Sequence, residues 1–321
     1  MHPAFSVIFF TVLSGAGLGA LAWTALLDGA GAAGLVGALS RDALARAAFA
    51  GLVLVVAGLC CSTLHLANPR NAWRSLARWR TSWLSREAAV ALVLLPLAAL
   101  HATLLVQDAG AVRLALGGLV VVLAWAMLVC TAMIYASLKP IRQWHTARVP
   151  VGFVVLGHAS GALVVLACLG ADAPGRRALG VAAAALLLAA ALFKIDYWRF
   201  LRRGVGSVTL EQAIGVAHGV RPAAPTGSVM AARLLDVGHS RGTFLTHEFM
   251  AEAAASRRGT LRVVAIVAGF LLPAALVALV ASATAAWVAL CAGLAGLVVE
   301  RWLFFADARH TVRLYHGDAR T

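Results

Sequence analysis

The sequence predicts an all-α, polytopic membrane protein, a bundle of eight transmembrane helices. Of its 321 residues, 62% are apolar and only 12% are charged, and the mean hydropathy is +0.88. A typical soluble domain is roughly 45–50% apolar and about 25% charged. Eight apolar stretches are also long enough to cross a bilayer core of about 30 Å as helices. This composition excludes an ordinary soluble enzyme, a disordered chain and a fibrous repeat.

The predicted spans follow one another in a single membrane domain, residues 1–321. Most are rich in Ala, Leu, Val and Gly, and none shows the alternation of a barrel strand. A cleavable signal peptide has basic residues before its apolar run. No Lys or Arg precedes the first span of this chain, so that span is expected to be a retained helix. The spans are residues 5–27, 47–66, 88–107, 112–138, 149–169, 178–195, 263–281 and 285–306. A long loop, 196–262, separates the sixth from the seventh.

The distribution of positive charge predicts the orientation of the chain. The termini and the loops on their side of the predicted bilayer hold 22 of the 27 Lys and Arg residues. Inner-membrane proteins concentrate these residues in cytoplasmic loops. Both termini and the loop 196–262 are therefore expected in the cytoplasm of a bacterium. The net charge of +14 is explained by this asymmetry, and no nucleic-acid partner is expected.

Several ionisable residues lie inside or at the edge of the spans, where each costs about 2.5–3.5 kcal/mol at mid-depth and is a candidate functional group. Toward the predicted cytoplasmic face these are His65, Arg86, Glu87, Lys194, Asp196, Glu300 and Arg301. A quinone head group needs hydrogen-bond donors and proton-exchanging groups in such a place. Two alternatives stay open. Arg86 and Glu87 could be interfacial charges that reach water, and Lys194–Asp196 and Glu300–Arg301 could be neutralising pairs between helices.

His101 and His158 raise the alternative of a b-type cytochrome, since haem ligation needs two imidazoles at similar depth on facing helices. Their positions in spans 3 and 5 predict a mismatch of about 7 Å at the helical rise per residue, which favours interhelical hydrogen bonding instead. The five cysteines form no Cys-x-x-Cys pair, so no metal site is expected. A small-solute transporter is a further alternative, because Pro96 and Pro273 interrupt two spans, but the sequence shows no internal repeat.

Six segments spread along the whole chain resemble the membrane anchor subunit of dimethyl sulfoxide reductase. They are MHPAFSVIFFT (1–11), HLANPRNAWR (65–74), WRTSWLSRE (79–87), KIDYWR (194–199), RGTFLTHE (241–248) and RWLFFADARH (301–310). The last segment is more similar to the anchor of cytoplasm-facing sulfite dehydrogenases.

The resemblance implies an anchor subunit that tethers two partners to the membrane lipid. One is a molybdopterin catalytic subunit, and the other is a ferredoxin-like subunit with four 4Fe–4S clusters. The anchor itself holds no redox metal and exchanges electrons with the menaquinone or ubiquinone pool. The complex would reduce dimethyl sulfoxide or another S- or N-oxide, or oxidise sulfite, and the C-terminal segment favours sulfite.

The resemblance also implies a quinone site. In the family, the positions matched by His65 and Glu87 are associated with quinol binding. We expect His65 to hydrogen-bond a quinone oxygen and Glu87 to relay protons or to orient His65. Arg78 and Arg86 are expected to favour negative charge that develops on the bound quinone.

Overall fold

The computed structural model describes residues 5–37, 39–64, 69–107, 109–203, 257–311 and Leu314. Within these ranges eight helices are long and apolar enough to cross a membrane, which confirms the all-α prediction and the number of spans for the described part of the chain. The helices are α1 (Phe5–Ala32), α2 (Arg41–Thr63), α3 (Trp83–Gln107), α4 (Gly110–Ala136), α5 (Arg148–Cys168), α6 (Arg176–Arg202), α7 (Arg258–Leu279) and α8 (Ala283–Ala306). A 3-10 helix, Pro69–Arg78, lies between α2 and α3. The side of the membrane on which the termini lie stays a prediction.

The helices extend beyond the predicted apolar windows where a polar side chain finds a partner. α1 continues past residue 27 and includes Asp28, whose carboxylate pairs with Arg113 at the start of α4. α2 begins before residue 47 because Ser40 caps it, and the Ser40 hydroxyl accepts a hydrogen bond from the Ala43 N–H. A window based on hydropathy alone ends at such residues, whereas the helix does not.

The predicted loop 196–262 is shorter than expected, because α6 continues to Arg202 and α7 begins at Arg258. Residues 204–256 lie outside the described residues. α7 contains a π-helical turn, Val267–Leu271, directly before Pro273. Proline has no N–H to donate and its ring crowds the preceding turn, and the wider turn accommodates this mismatch.

The central helix of the described bundle is α1, which packs against α2, α4, α5 and α8. Glycines allow the backbones to approach closely at two crossings. Gly17 faces Gly51 on α2, and Gly19 faces Gly157 and Gly161 on α5. A Cβ on Gly19 would lie 1.9 Å from the Gly157 carbonyl oxygen, so a larger residue does not fit without moving a helix. This is the small-residue packing that membrane helices use.

Because consecutive helices run in opposite directions, the bundle has two ends. We call the end that holds the start of α1 and the end of α8 the terminal face, and the other end the opposite face. Buried polar side chains occur near both. The terminal face holds Glu87, Lys194, Glu300 and Arg301, and the opposite face holds Asp28, His101, Arg113 and Arg176. The candidate site therefore belongs to the terminal face.

Candidate functional site

Glu87 lies near the start of α3 and is only 3% exposed. From Glu87 onward the buried residues of α3 recur at spacings of three and four, which places Glu87 on the face that packs against the neighbouring helices. These residues are Glu87, Ala91, Leu94, Ala98, His101 and Leu105. Ser85, in the first turn, is also buried. A buried carboxyl is costly unless it is hydrogen-bonded. Glu87 is thus a buried polar group of the bundle, and the alternative of an interfacial charge that reaches water does not apply to it.

Thr131 of α4 is the direct partner of Glu87. Its hydroxyl is hydrogen-bonded to Glu87 Oε1, and the same hydroxyl oxygen lies 3.0 Å from the carbonyl oxygen of Met127, one turn earlier in α4. Cys130 and Tyr135, also on α4, are within electrostatic range of the Glu87 carboxyl. Sequence reasoning missed Thr131, because a neutral hydroxyl inside an apolar span changes neither the charge nor the hydropathy enough to attract notice.

Arg86 closes the turn between the 3-10 helix and α3. Its Nε donates to the carbonyl of Trp79 at 3.0 Å, and its Nη2 donates to the carbonyl of Arg80 at 2.7 Å. The guanidinium also lies 4.2 Å from the ring centroid of Trp83, which is cation–π distance. The structure therefore gives Arg86 a structural role beside the electrostatic one that was expected.

Arg78 ends the 3-10 helix with its side chain exposed. In the same segment Trp73 and Trp79 are exposed, and each lies beneath a neighbouring guanidinium, that of Arg74 and that of Arg80. Such a mixture of indole and guanidinium groups is typical of the interface between a membrane and water. His65 lies outside the described residues, so its contact with Glu87 or a quinone stays a prediction.

A second charged cluster at the terminal face joins α6 to α8. The Lys194 ammonium pairs with Glu300 Oε1, and Arg301 Nε donates to Glu300 Oε2 at 2.6 Å. All three side chains are buried. The predicted neutralisation between helices is confirmed for Lys194 and Glu300, but Asp196 takes no part in it, because it points outward and accepts from Arg148 Nε at 2.9 Å. Sequence spacing does not show which face of a helix a charge occupies, so it could not show that Asp196 faces away from α8 while Lys194 faces toward it.

Aromatic rings pack beside this cluster, around Tyr135, which lies one turn after Thr131 on α4. Tyr135 packs against Trp144, Phe153 and Phe304, and the Arg301 guanidinium lies 4.4 Å from the Phe153 ring centroid. Tyr135 is within electrostatic range of both Glu87 and Arg301. The two groups of charges therefore belong to one polar and aromatic layer across the terminal face.

The two candidate haem ligands are not brought together. His101 is fully buried near the opposite face, and its Nε2 lies 2.9 Å from the point that a Cβ on Gly117 of α4 would occupy. In the middle of α5, His158 Nε2 accepts a hydrogen bond from Trp125 Nε1 at 2.8 Å. Among the described residues, α3 packs mainly against α2, α4 and the 3-10 helix, and α5, which carries His158, is not one of these main partners. Among the described residues no group of three or more His, Cys, Asp or Glu side chains could hold a metal ion.

These features define a multi-pass membrane protein with a buried carboxyl and a charged, aromatic layer near one end of its bundle. The chain belongs to the family of the DMSO reductase anchor subunit, whose model matches residues 1–306. It is also similar to a subunit of the sulfite dehydrogenase of Allochromatium vinosum, with 35% identity over 334 residues that cover 98% of this chain and 99% of the relative. No solved structure gives a significant match. The family resemblance predicted from the six segments is confirmed, and the chain is a membrane anchor subunit of a multi-subunit oxidoreductase.

Proposed function

We propose that this anchor subunit reacts with quinone, and that it passes electrons between the quinone pool and an iron–sulfur partner. The observation that supports this proposal best is the carboxyl of Glu87, buried near the terminal face and hydrogen-bonded by Thr131. A buried carboxyl that can gain and lose a proton close to a membrane surface is suited to proton exchange with a reacting group.

The residues around Glu87 fit the chemistry of a quinone. A bound quinone supplies a two-electron reaction that also takes up or releases two protons. The Glu87 carboxylate can take up one of these protons on either oxygen, and the hydrogen bond with Thr131 keeps the carboxyl in place. Arg86 fixes the turn that leads into α3 through its bonds to two carbonyls. His65 is proposed to donate a hydrogen bond to a quinone oxygen, and Arg78 to contribute positive charge.

The proposed partners are a ferredoxin-like subunit with four 4Fe–4S clusters and a molybdopterin catalytic subunit, docked at the terminal face. The relative is named as a subunit of sulfite dehydrogenase, which favours sulfite oxidation with electrons entering the quinone pool over S-oxide reduction. The 22 Lys and Arg residues on the side of the termini support a cytoplasmic terminal face in a bacterial inner membrane.

Two variants of the purified complex test the quinone site, Glu87→Gln and His65→Ala. We expect quinone-coupled turnover to fall by about 10²–10⁴-fold, as for loss of a general acid or base, with the dye-linked activity of the catalytic subunit unchanged. Asp196→Asn is the control, because it removes an exposed carboxylate from the same face. Quinone-coupled turnover that stays at the wild-type level in Glu87→Gln would refute the site.

The same preparation tests the b-type cytochrome alternative. A haem held by His101 or His158 would give a Soret band in the reduced-minus-oxidised difference spectrum of the purified chain, whereas a quinone anchor without haem gives none.

A further inference from the structure

Thr131 takes part in two hydrogen bonds with only one proton to donate. Its Oγ1 is bonded to Glu87 Oε1 and lies 3.0 Å from the Met127 carbonyl oxygen. A threonine hydroxyl has one O–H donor and two acceptor lone pairs. A carbonyl oxygen can only accept, so at any moment the Thr131 proton points either to Met127 or to Glu87.

The choice depends on whether Glu87 carries a proton. An ionised carboxylate only accepts, so Thr131 must then donate to Glu87. A protonated Glu87 can instead donate its own O–H to Thr131 Oγ1, and the Thr131 proton then turns to Met127, a back-bond to the preceding turn that threonines in helices often make. Both side chains are hydrogen-bonded in either arrangement.

We propose that Thr131 is a positioning residue that serves Glu87 in both protonation states, by reversing the direction of the hydrogen bond between them. This inference rests on the proposed function, in which Glu87 exchanges protons. When a proton from water or from a quinol reaches the Glu87 carboxylate, the Thr131 hydroxyl rotates from Glu87 to Met127. No covalent bond of the protein is broken, and the reverse rotation follows when the proton leaves.

The hydrogen bond between Glu87 and Thr131 matters because both side chains are buried. Glu87 and Thr131 are each only 3% exposed, so water is a poor substitute for a missing partner. A buried polar group without a hydrogen bond is costly, and a proton-exchanging group that lacked a partner in one of its two states would be held in the other. A hydroxyl that both donates and accepts avoids this bias.

The other ionisable groups near Glu87 do not interfere with a spectroscopic test. Among the described residues of α3 and of the elements packed against its start, they are Cys60, Cys61, Arg74, Arg78, Arg80, Arg86, Cys130 and Tyr135. His65, which is proposed to act beside Glu87, is counted with them, and its imidazole has no C=O group. The arginines keep their charge at any accessible pH, and neither thiols nor a phenol has a carboxylic C=O. The C=O stretching band of a protonated carboxylic acid therefore reports Glu87 once Glu87→Gln has assigned it.

The experiment is an infrared pH titration of the complex purified with its partner subunits. The variants are Thr131→Val, which keeps the shape of the side chain and removes the hydroxyl, and Thr131→Ser, which keeps the hydroxyl. Thr131→Ala repeats the loss of the hydroxyl if the valine variant does not assemble. Thr24→Val is the matched control, because Thr24 is buried on α1 and its hydroxyl donates a hydrogen bond to the Leu21 carbonyl at 2.9 Å, its one side-chain hydrogen bond within the described part of the chain.

Hydrogen bonds to charged groups are stronger than those between neutral groups. Loss of the hydroxyl should therefore destabilise ionised Glu87 more than protonated Glu87. We expect Thr131→Val to raise the titration midpoint of the band by about one pH unit, a tenfold change in proton affinity, and to shift the band itself as the O–H of Glu87 loses its acceptor. Thr131→Ser and Thr24→Val should match the wild type. An unchanged midpoint in Thr131→Val, or a serine variant that behaves like valine, would overturn the inference.

The outcome is separable from that of the proposed function. If Glu87→Gln retains quinone-coupled turnover while the Glu87 band still responds to Thr131→Val, the quinone proposal fails and the hydrogen-bond reversal stands. If Glu87→Gln loses that turnover and Thr131→Val leaves the band unchanged, the reversal alone fails.

Discussion

Glu300 is the residue on which the charged cluster between α6 and α8 depends. Its two carboxylate oxygens each hold a different cation, Lys194 through Oε1 and Arg301 through Oε2. The Lys194 side chain is 4% exposed, that of Arg301 is 6% exposed, and that of Glu300 is fully buried. Replacing Glu300 with Gln leaves two buried cations beside each other with no anion between them.

The expected cost follows from this geometry. Removing one partner of a buried ion pair typically destabilises a protein by about 3–5 kcal/mol, because the remaining charge is left uncompensated. We expect Glu300→Gln to lie in that range. Lys194→Met should cost only about 1 kcal/mol, because Glu300 remains paired with Arg301 and its charge remains balanced. The double variant Lys194→Met/Glu300→Gln should be more stable than Glu300→Gln alone, since it removes one of the two orphaned cations.

The assay is reversible unfolding of the purified chain in mixed detergent micelles, followed by tryptophan fluorescence, with the three variants treated as a double-mutant cycle. Asp196→Asn is the control. It breaks the ion pair with Arg148, in which the Arg148 side chain is 38% exposed and the Asp196 side chain 56% exposed. The loss of such an exposed pair should cost about 0–1 kcal/mol. A cost below about 1 kcal/mol for Glu300→Gln, or equal costs for Glu300→Gln and Lys194→Met, would show that the cluster is not a dry, bridged triad.

Three further predictions concern packing, a turn and pH. A Cβ on Gly161 would lie 2.2 Å from the Gly19 carbonyl carbon, so Gly161→Ala should lower the free energy of unfolding by about 1–3 kcal/mol. A Cβ on Gly15 would have no atom of another helix within 4 Å, so Gly15→Ala should be tolerated in the same unfolding assay. Arg86→Ala should speed proteolysis of the segment before α3, and Arg86→Lys should not restore protection because an ammonium lacks the guanidinium fork. Burial lowers the pKa of His310. The stability that the buried neutral imidazole contributes is therefore present above the unfolded pKa of about 6.5 and is lost as pH falls below that value. His310→Gln should make the plot of unfolding free energy against pH shallower below about pH 6.5.

How far the fold could be predicted from the sequence depended on whether a feature is local. A span in lipid must satisfy its backbone hydrogen bonds within itself, so the eight helices follow from short apolar windows. Glu87 was also found this way, since one charge in an apolar run is visible without its neighbours. Lys194 and Glu300 were each visible too, but their pairing depends on the rotation and depth of two helices. Thr131 carries no charge, and only the position of α4 reveals it.

The structure also bears on the charge asymmetry from which the orientation was predicted. Five Lys and Arg residues were assigned to the minority side, and the structure shows what three of them do. Arg113 is neutralised by Asp28. Arg46 donates to the carbonyl of Cys168 at the end of α5. Arg176 donates to three carbonyls, those of Leu169, Gly170 and Ser282.

Helix ends leave carbonyl oxygens without partners inside the helix, and a guanidinium near the C-terminus of a neighbouring helix satisfies them and interacts favourably with the helix dipole. These three arginines of the opposite face thus have partners at the ends of α1 and α5 and in the turn before α8, independently of membrane topology. Structurally used cations also occur on the side of the termini, among them Arg86, Lys194 and Arg301, so leaving such residues out lowers both counts. The prediction of a cytoplasmic terminal face therefore rests on the count of 22 to 5 itself, and it is tested by a reporter fused after residue 321, which should be active in the cytoplasm and inactive in the periplasm.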